Sequence, residues 1–240
     1  MVQEHSSMTV SLNQFADHDR YNGWIYEEIE RVLGREVLEV GSGTGNITRF
    51  LAQEDRQVVA TDGLPAYREH LRRLYAGNGN IEVSEFDLNS AAPPDFVERQ
   101  FDSVVCLNVL EHIEDDLRAL REMRRVIRPG GYLALLVPSH PVLYGKFDLA
   151  VGHFRRYSKS PLLKLLRQAE FEVNSIKFFN IAAVIPWLVN GRIFKRDYLP
   201  EDQTRMVNLL VPVLKLERLI GPPCGLSLIA LAQKTERSES

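Results

Sequence analysis

The feature that most constrains this chain is "VLEVGSGTGNITRFLA", Val37 to Ala52, which places Gly41, Gly43 and Gly45 within five residues. Glycine loses more conformational freedom on folding than any other residue, so three at one bend imply a backbone path that a side chain would block. The segment before the bend reads as a strand. "NITRFLA" after it repeats at helical spacing. The pattern then recurs: "QVVATD", "IEVSEFD", "FDSVVCLNV" and "RPGGYLALLVP" read as strands, "PAYREHLRRLY" and "EDDLRALREMRRVI" as helices. Strands alternating with helices predict βαβ units, a mostly parallel sheet and right-handed crossovers. The loop after the first strand of such a sheet lies at its ligand-binding end.

Beyond Pro138 the periodicity weakens. "SHPVLYGKFDLAVGHFRRYSK" is expected to be a loop of about 20 residues, a length usually tied to function. A helix is expected from Ser160, with Pro161 in its first turn, and "FEVNSIKFF" and "LSLIALAQK" complete seven strands. Gly34 is expected to close the first helix as its C′ residue. No repeat or linker divides the 240 residues. A net charge of -3 and a pI near 6.1 argue against a nucleic-acid partner. Two cysteines make no disulfide framework. "FFNIAAVIPWLVNG", with Pro186 inside it, falls short of the roughly 20 apolar residues a membrane span needs. No secretory signal is visible, and the expected location is the cytoplasm.

The glycine spacing is informative. Counted from Gly41 the chain reads G-S-G-T-G-N, which is neither the dinucleotide fingerprint G-x-G-x-x-G nor a P-loop. It is E-x-G-x-G-x-G, opening at Glu39. In this it resembles the class I S-adenosylmethionine-dependent methyltransferases, whose first motif reads this way. Asp62 stands 21 residues after Gly41, at the end of the second strand. "EFDLN", "FDSVVCLNVLEHI" and "IRPGGYLALLVP" continue the resemblance in order, covering roughly residues 36 to 138.

The resemblance implies a Rossmann-like, doubly wound α/β sheet of seven strands, mostly parallel with the seventh antiparallel. It implies S-adenosyl-L-methionine as cofactor and S-adenosyl-L-homocysteine as product. One methyltransferase domain, 1-240, is then expected: N-terminal lid helices at 1-35, a cofactor core at 36-138, an acceptor side at 139-226, the last strand at 227-234 and a tail at 235-240. Glu39, Gly41, Ser42, Gly43, Gly45, Asp62, Gly63, Asp87, Leu88, Asn108 and Val109 are the expected cofactor residues. Asp62 would take the ribose hydroxyls and Asp87 the adenine amino group, with Phe86 and Leu88 flanking the ring.

A sulfonium methyl is electrophilic already, so the protein must chiefly position a nucleophile, and a hydroxyl nucleophile gains from a base. His112 and His153 are the catalytic candidates. His140, Tyr144, Arg156 and Tyr157 are expected at the acceptor, Arg156 as a fork for an anionic group; a solvated basic turn with Arg156 paired to an acid is the alternative. No metal is expected. The acceptor reads as a small molecule, hydrophobic or anionic, methylated at oxygen in preference to nitrogen or carbon. The apolar segments after Phe178 are read as packing on the sheet, with contact at a membrane surface as the alternative. The rival to methyl transfer is a cofactor-binding member of the fold that does not methylate, a cyclase-type enzyme or a regulator. The expected assembly is a monomer or homodimer.

Overall fold

The computed structural model describes residues 19–53, 55–190 and 201–235. In chain order it forms α1 (Asp19–Ile29), β1 (Glu36–Val40), α2 (Thr48–Leu51), β2 (Gln57–Thr61), α3 (Pro65–Leu74), β3 (Ile81–Ser84), α4 (Pro94–Arg99), β4 (Phe101–Leu107), α5 (Asp116–Val126), β5 (Ile127–Pro138), α6 (Lys146–Ala150), α7 (Lys159–Gln168), β6 (Phe171–Phe179), α8 (Val184–Leu188), α9 (Glu201–Leu214), α10 (Glu217–Ile220) and β7 (Ser227–Lys234). The sheet order is β3-β2-β1-β4-β5-β7-β6. β7 alone among these strands runs antiparallel, against both β5 and β6. The carboxyl ends of the other six therefore share one edge.

Both faces of the sheet are covered, so its central strands are apolar on both sides. Leu38, Val104, Leu133 and Leu135 meet Phe96, Leu120, Met123 and Leu162 from α4, α5 and α7. Val37, Val105, Ala134 and Leu136 meet Trp24, Ile25 and Ile29 of α1, Leu51 of α2 and Val211 of α9. α5 is the most legible helix: Asp115 caps it, accepting from the Arg118 amide, and its arginines occupy the last turn where the helix dipole favours them.

Several local expectations are corrected. The stretch after Pro138 is not a structureless loop: it folds into a 3₁₀ turn, Pro141–Leu143, and α6. Buried Asp148 organises it by accepting from the Gly145 amide, the His153 ring and Arg156. α7 begins one residue before Ser160, because Leu162 N already donates to Ser158 O. The glycine bend continues as turns as far as Ile47, leaving α2 a single turn of four residues. α4, between β3 and β4, had no clear signal of its own. Expectations for residues 1–18, 191–200 and 236–240, the expected tail, lie outside the described residues.

Gly34 is no left-handed cap; α1 runs into a 3₁₀ turn and Leu33 is extended. Its constraint is contact: a Cβ there would lie 2.3 Å from the Cβ of Asp102. Asp102 in turn accepts from the Arg35 and Glu36 amides, holding the entry to β1. Gly34→Ala is expected to cost about 1–3 kcal/mol by overpacking, read as a lower urea midpoint with an unchanged slope.

Candidate functional site

Among the described residues five that are not glycine have left-handed backbone; Gln100 and Glu170 precede β4 and β6, and the other three lie at the carboxyl edge. Asn108, His140 and Asn180 follow the ends of β4, β5 and β6 with φ of 55°, 57° and 61°. Left-handed backbone at a non-glycine residue is strained, and such strain concentrates at functional sites. Gly41, just past β1, has φ +75°, and a Cβ on it would fall 2.3 Å from Val109 Cγ2. The glycine loop and the segment leaving β4 are therefore in direct contact.

The loop is pinned from several sides. Gly41 N and Ser42 N both donate to Thr61 O, at 2.9 and 2.8 Å. Glu39, buried, accepts from Ser42 Oγ at 2.8 Å and Thr48 Oγ1 at 2.5 Å. Asp62 accepts from Gly43 N at 3.0 Å through one oxygen and from Leu64 N at 2.8 Å through the other. Tyr75 donates its hydroxyl to Gly45 O. Glu39 and Ser42 are thus engaged with each other, and Asp62 holds the loop's shape with lone pairs to spare.

The expected cofactor residues converge on this crevice with one departure. Gly63 sits beside Asp87, 3.8 Å from its Cβ to an ideal Cβ, and Asp87 accepts from the backbone and side chain of Asn89. Phe86 and Leu88 are only 2% exposed and belong to the core with Phe96, so neither side chain is presented to a ring. The residues fit an adenosyl sulfonium ligand on two observations. The loop's positive-φ glycines bring bare backbone to the crevice. Thr44 Oγ1 is buried there with no protein partner, a polar atom that a ligand would satisfy.

Val109 leads directly into a 3₁₀ turn, Leu110–His112. Here the two catalytic candidates meet: the His112 and His153 rings lie edge to face, centroids 4.7 Å apart. Glu111, which the sequence alone reads as a structural or capping acid, is 1% exposed, and its Oε1 is 3.9 Å from His153 Nε2. Its Oε2 has no partner. Burial pushes the Glu111 carboxyl up to about 7. Burial, with the neighbouring His153, brings His112 down to about 4, so its ring is neutral at pH 7.

The acceptor-side residues turn inward but find protein partners. Arg156, expected to grip an anion, is 5% exposed. Its Nε donates to Asp148 at 2.8 Å, and its guanidinium lies 4.3 Å over the Trp187 ring. Tyr157 donates to Asp116 at 3.0 Å, and burial drives its phenol far above its usual range. Tyr144 donates to His153 O at 2.6 Å, steadying the backbone that carries that histidine. His140 stacks on Phe178 and keeps an unpartnered, buried Nε2. Asp148, fully buried, is the hub that the sequence did not reveal; the spacing Asp148, His153, Arg156 carries it only once α6 is known to fold back. A cavity of about 150 Å³, lined by Glu28, Lys177, Phe178 and Glu217 among others, holds none of the cradle residues.

Glu39 gives a pH signature. Burial raises it to about 7 against an ordinary 4.5. A carboxyl raised on folding stabilises fully below the lower value and loses that contribution as pH rises through the upper one. Stability is expected to fall between pH 4.5 and about 7. Glu39→Gln should flatten that fall by up to about 3 kcal/mol, measured as urea midpoints across the window.

Residues 38–135 match the family model described as a methyltransferase domain. A protein of Mycolicibacterium smegmatis named a probable S-adenosylmethionine-dependent methyltransferase is 30% identical over 152 residues, covering 62% of this chain and 57% of its own length. A ubiquinone biosynthesis O-methyltransferase of Pseudomonas entomophila is 32% identical over 110 residues, 45% of this chain and 46% of that one. The match thus spans about half the length of these relatives. The solved structure of an S-adenosylmethionine dependent methyltransferase from Mesorhizobium loti superposes with a TM-score of 0.61 at 17% identity, covering 87% of this chain and 95% of that one.

Proposed function

We propose that this chain is a class I S-adenosylmethionine-dependent methyltransferase and that it methylates an oxygen of a small-molecule acceptor placed against Glu111, His112 and His153. The observation that carries the reading is the contact between Gly41 and Val109. It sets the cofactor loop against the segment that carries Glu111 and His112, two and three residues past Val109. The likeness to ubiquinone O-methyltransferases supports oxygen as the methylated atom.

The division of labour follows the chain. Residues 36–138 hold the cofactor, and 139–226 build the acceptor side. The family's cofactor supplies an electrophilic methyl group on a sulfonium. Gly41, Gly43 and Gly45 would admit it close to the backbone, Asp62 would orient the ribose and Asp87 would meet the adenine, with Asn108 and Val109 lining it from the β4 side. Just past Val109, His112 keeps its ring unprotonated at neutral pH, so an imidazole lone pair is available at the acceptor end of the crevice. His140, Tyr144, Arg156 and Tyr157 act as a rigid wall. Arg156 and Tyr157 do so through Asp148 and Asp116, not by gripping the acceptor themselves. Among the described residues no helix is long and apolar enough to cross a membrane.

Asp62→Ala is expected to lower S-adenosylhomocysteine affinity by at least tenfold in calorimetry, and Asp62→Glu by less, since each charge-assisted hydrogen bond is worth about 1.5–3 kcal/mol. NAD should show no saturable binding. A folded Asp62→Ala that binds like the parent removes the ribose role. With radiolabelled cofactor, phenols and catechols should accept label before amines do. Label confined to amines would overturn oxygen as the target.

A further inference from the structure

Among the described residues, six acids are buried to 9% exposure or less: Glu28, Glu39, Asp62, Glu111, Asp148 and Glu217. Five have their partners. Glu28 meets Lys177, Glu39 two hydroxyls, Asp62 two amides, Asp148 a ring, a guanidinium and an amide, and Glu217 the amides of Asn180 and Ile181. Glu111 is the exception, with Oε2 buried and unpartnered. Burying a carboxylate oxygen without a donor is costly, and a native fold keeps such an atom only where something else satisfies it.

From these juxtaposed groups we propose that Glu111, His112 and His153 bind a divalent transition-metal ion, a site built into the acceptor end of the crevice. One ligand atom from each of the three residues lies within 4.8 Å of the other two. Both rings are already arranged as ligands. His153 Nδ1 is held by Asp148 Oδ1 at 2.9 Å, leaving Nε2 turned toward Glu111. The His112 ring is hydrogen-bonded to the Gly152 backbone. A metal-bound histidine typically engages its second nitrogen in this way, which fixes the tautomer and the ring's direction. Arg156, a cation whose charge reaches Glu111, is committed to Asp148.

The donor set decides the class of ion. Two imidazoles and one carboxylate suit Zn²⁺, Co²⁺, Fe²⁺ or Mn²⁺, whereas Mg²⁺ and Ca²⁺ favour all-oxygen shells. Three protein ligands leave coordination positions open, as in catalytic sites generally. His112 and His153 are half-buried, so part of each ring reaches solvent. Resting on the proposed methyl transfer, those positions would take the acceptor's oxygens, which favours a vicinal diol, catechol or hydroxy-acid acceptor able to supply two. The two rings then act as ligands, and acidifying the acceptor hydroxyl falls to the cation.

The test uses the full chain stripped with EDTA and titrated with Co²⁺ alone, followed by visible absorption and calorimetry, with Mg²⁺ as a competitor. One Co²⁺ per chain is expected, displaced by Zn²⁺ and not by equal Mg²⁺. Glu111→Gln and His153→Gln should each weaken it at least tenfold. Should either fail to fold, His112→Gln gives the same reading. S-adenosylhomocysteine affinity should stay within threefold in every folded variant. Absence of stoichiometric Co²⁺ binding, or binding indifferent to these substitutions, overturns the metal site. Failure of S-adenosylhomocysteine to bind while Co²⁺ does would overturn the methyltransferase reading and leave the metal site standing.

Discussion

Burying carboxylates along one edge of a parallel sheet is the constraint around which this structure is arranged. A buried carboxylate must find donors or give up its charge, and each acid at this edge has fixed a piece of chain in doing so. Glu39 draws Ser42 and Thr48 together and closes the glycine loop. Asp62 takes the Gly43 and Leu64 amides and ties that loop to the end of β2. Asp148 gathers Gly145, His153 and Arg156 and folds the segment after β5 back over the site. Glu111 alone among these has a buried oxygen without a protein partner.

The topology sets these acids at one edge. β1, β2, β4 and β5 run parallel, so the loops that leave them share an edge however far apart they lie in sequence. Asp148 and His153 reach Glu111 from about 40 residues downstream because β5 ends beside β4. The Phe154 amide donating to Glu111 O at 2.8 Å locks the two segments together. The segment after β5 is therefore held down as the glycine loop is: Asp148 ties Arg156, Asp116 ties Tyr157, and Trp187 stacks on Arg156.

The cradle was legible in the sequence because its determinants are local. Three glycines at fixed spacing demand a backbone path, and Asp62 follows at the end of the next strand. The seven strands were legible for the same reason, as short apolar runs between turn residues. What escaped was tertiary. Nothing in "GKFDLAVGHFRRY" marks Asp148 as a hub, since its partners lie up to eight residues away in a stretch with no period. The same hidden partnership turned Arg156 from an expected clamp into a buried ion pair. His112 and His153 were each visible as reactive groups, but not their convergence on Glu111. Gly34 looked like a helix cap, and only packing shows that Asp102 leaves it no room for a side chain.

The central claim is that cofactor cradle and histidine–carboxylate cluster form one site. A crystal structure with S-adenosylhomocysteine and Mn²⁺, recorded for anomalous scattering, tests it most directly. The account predicts the cofactor along the glycine loop with its sulfur directed past Val109, and an anomalous peak ligated by Glu111, His112 and His153. The cofactor bound elsewhere, or bound as described with no peak and Glu111 Oε2 satisfied by a protein donor, would contradict it.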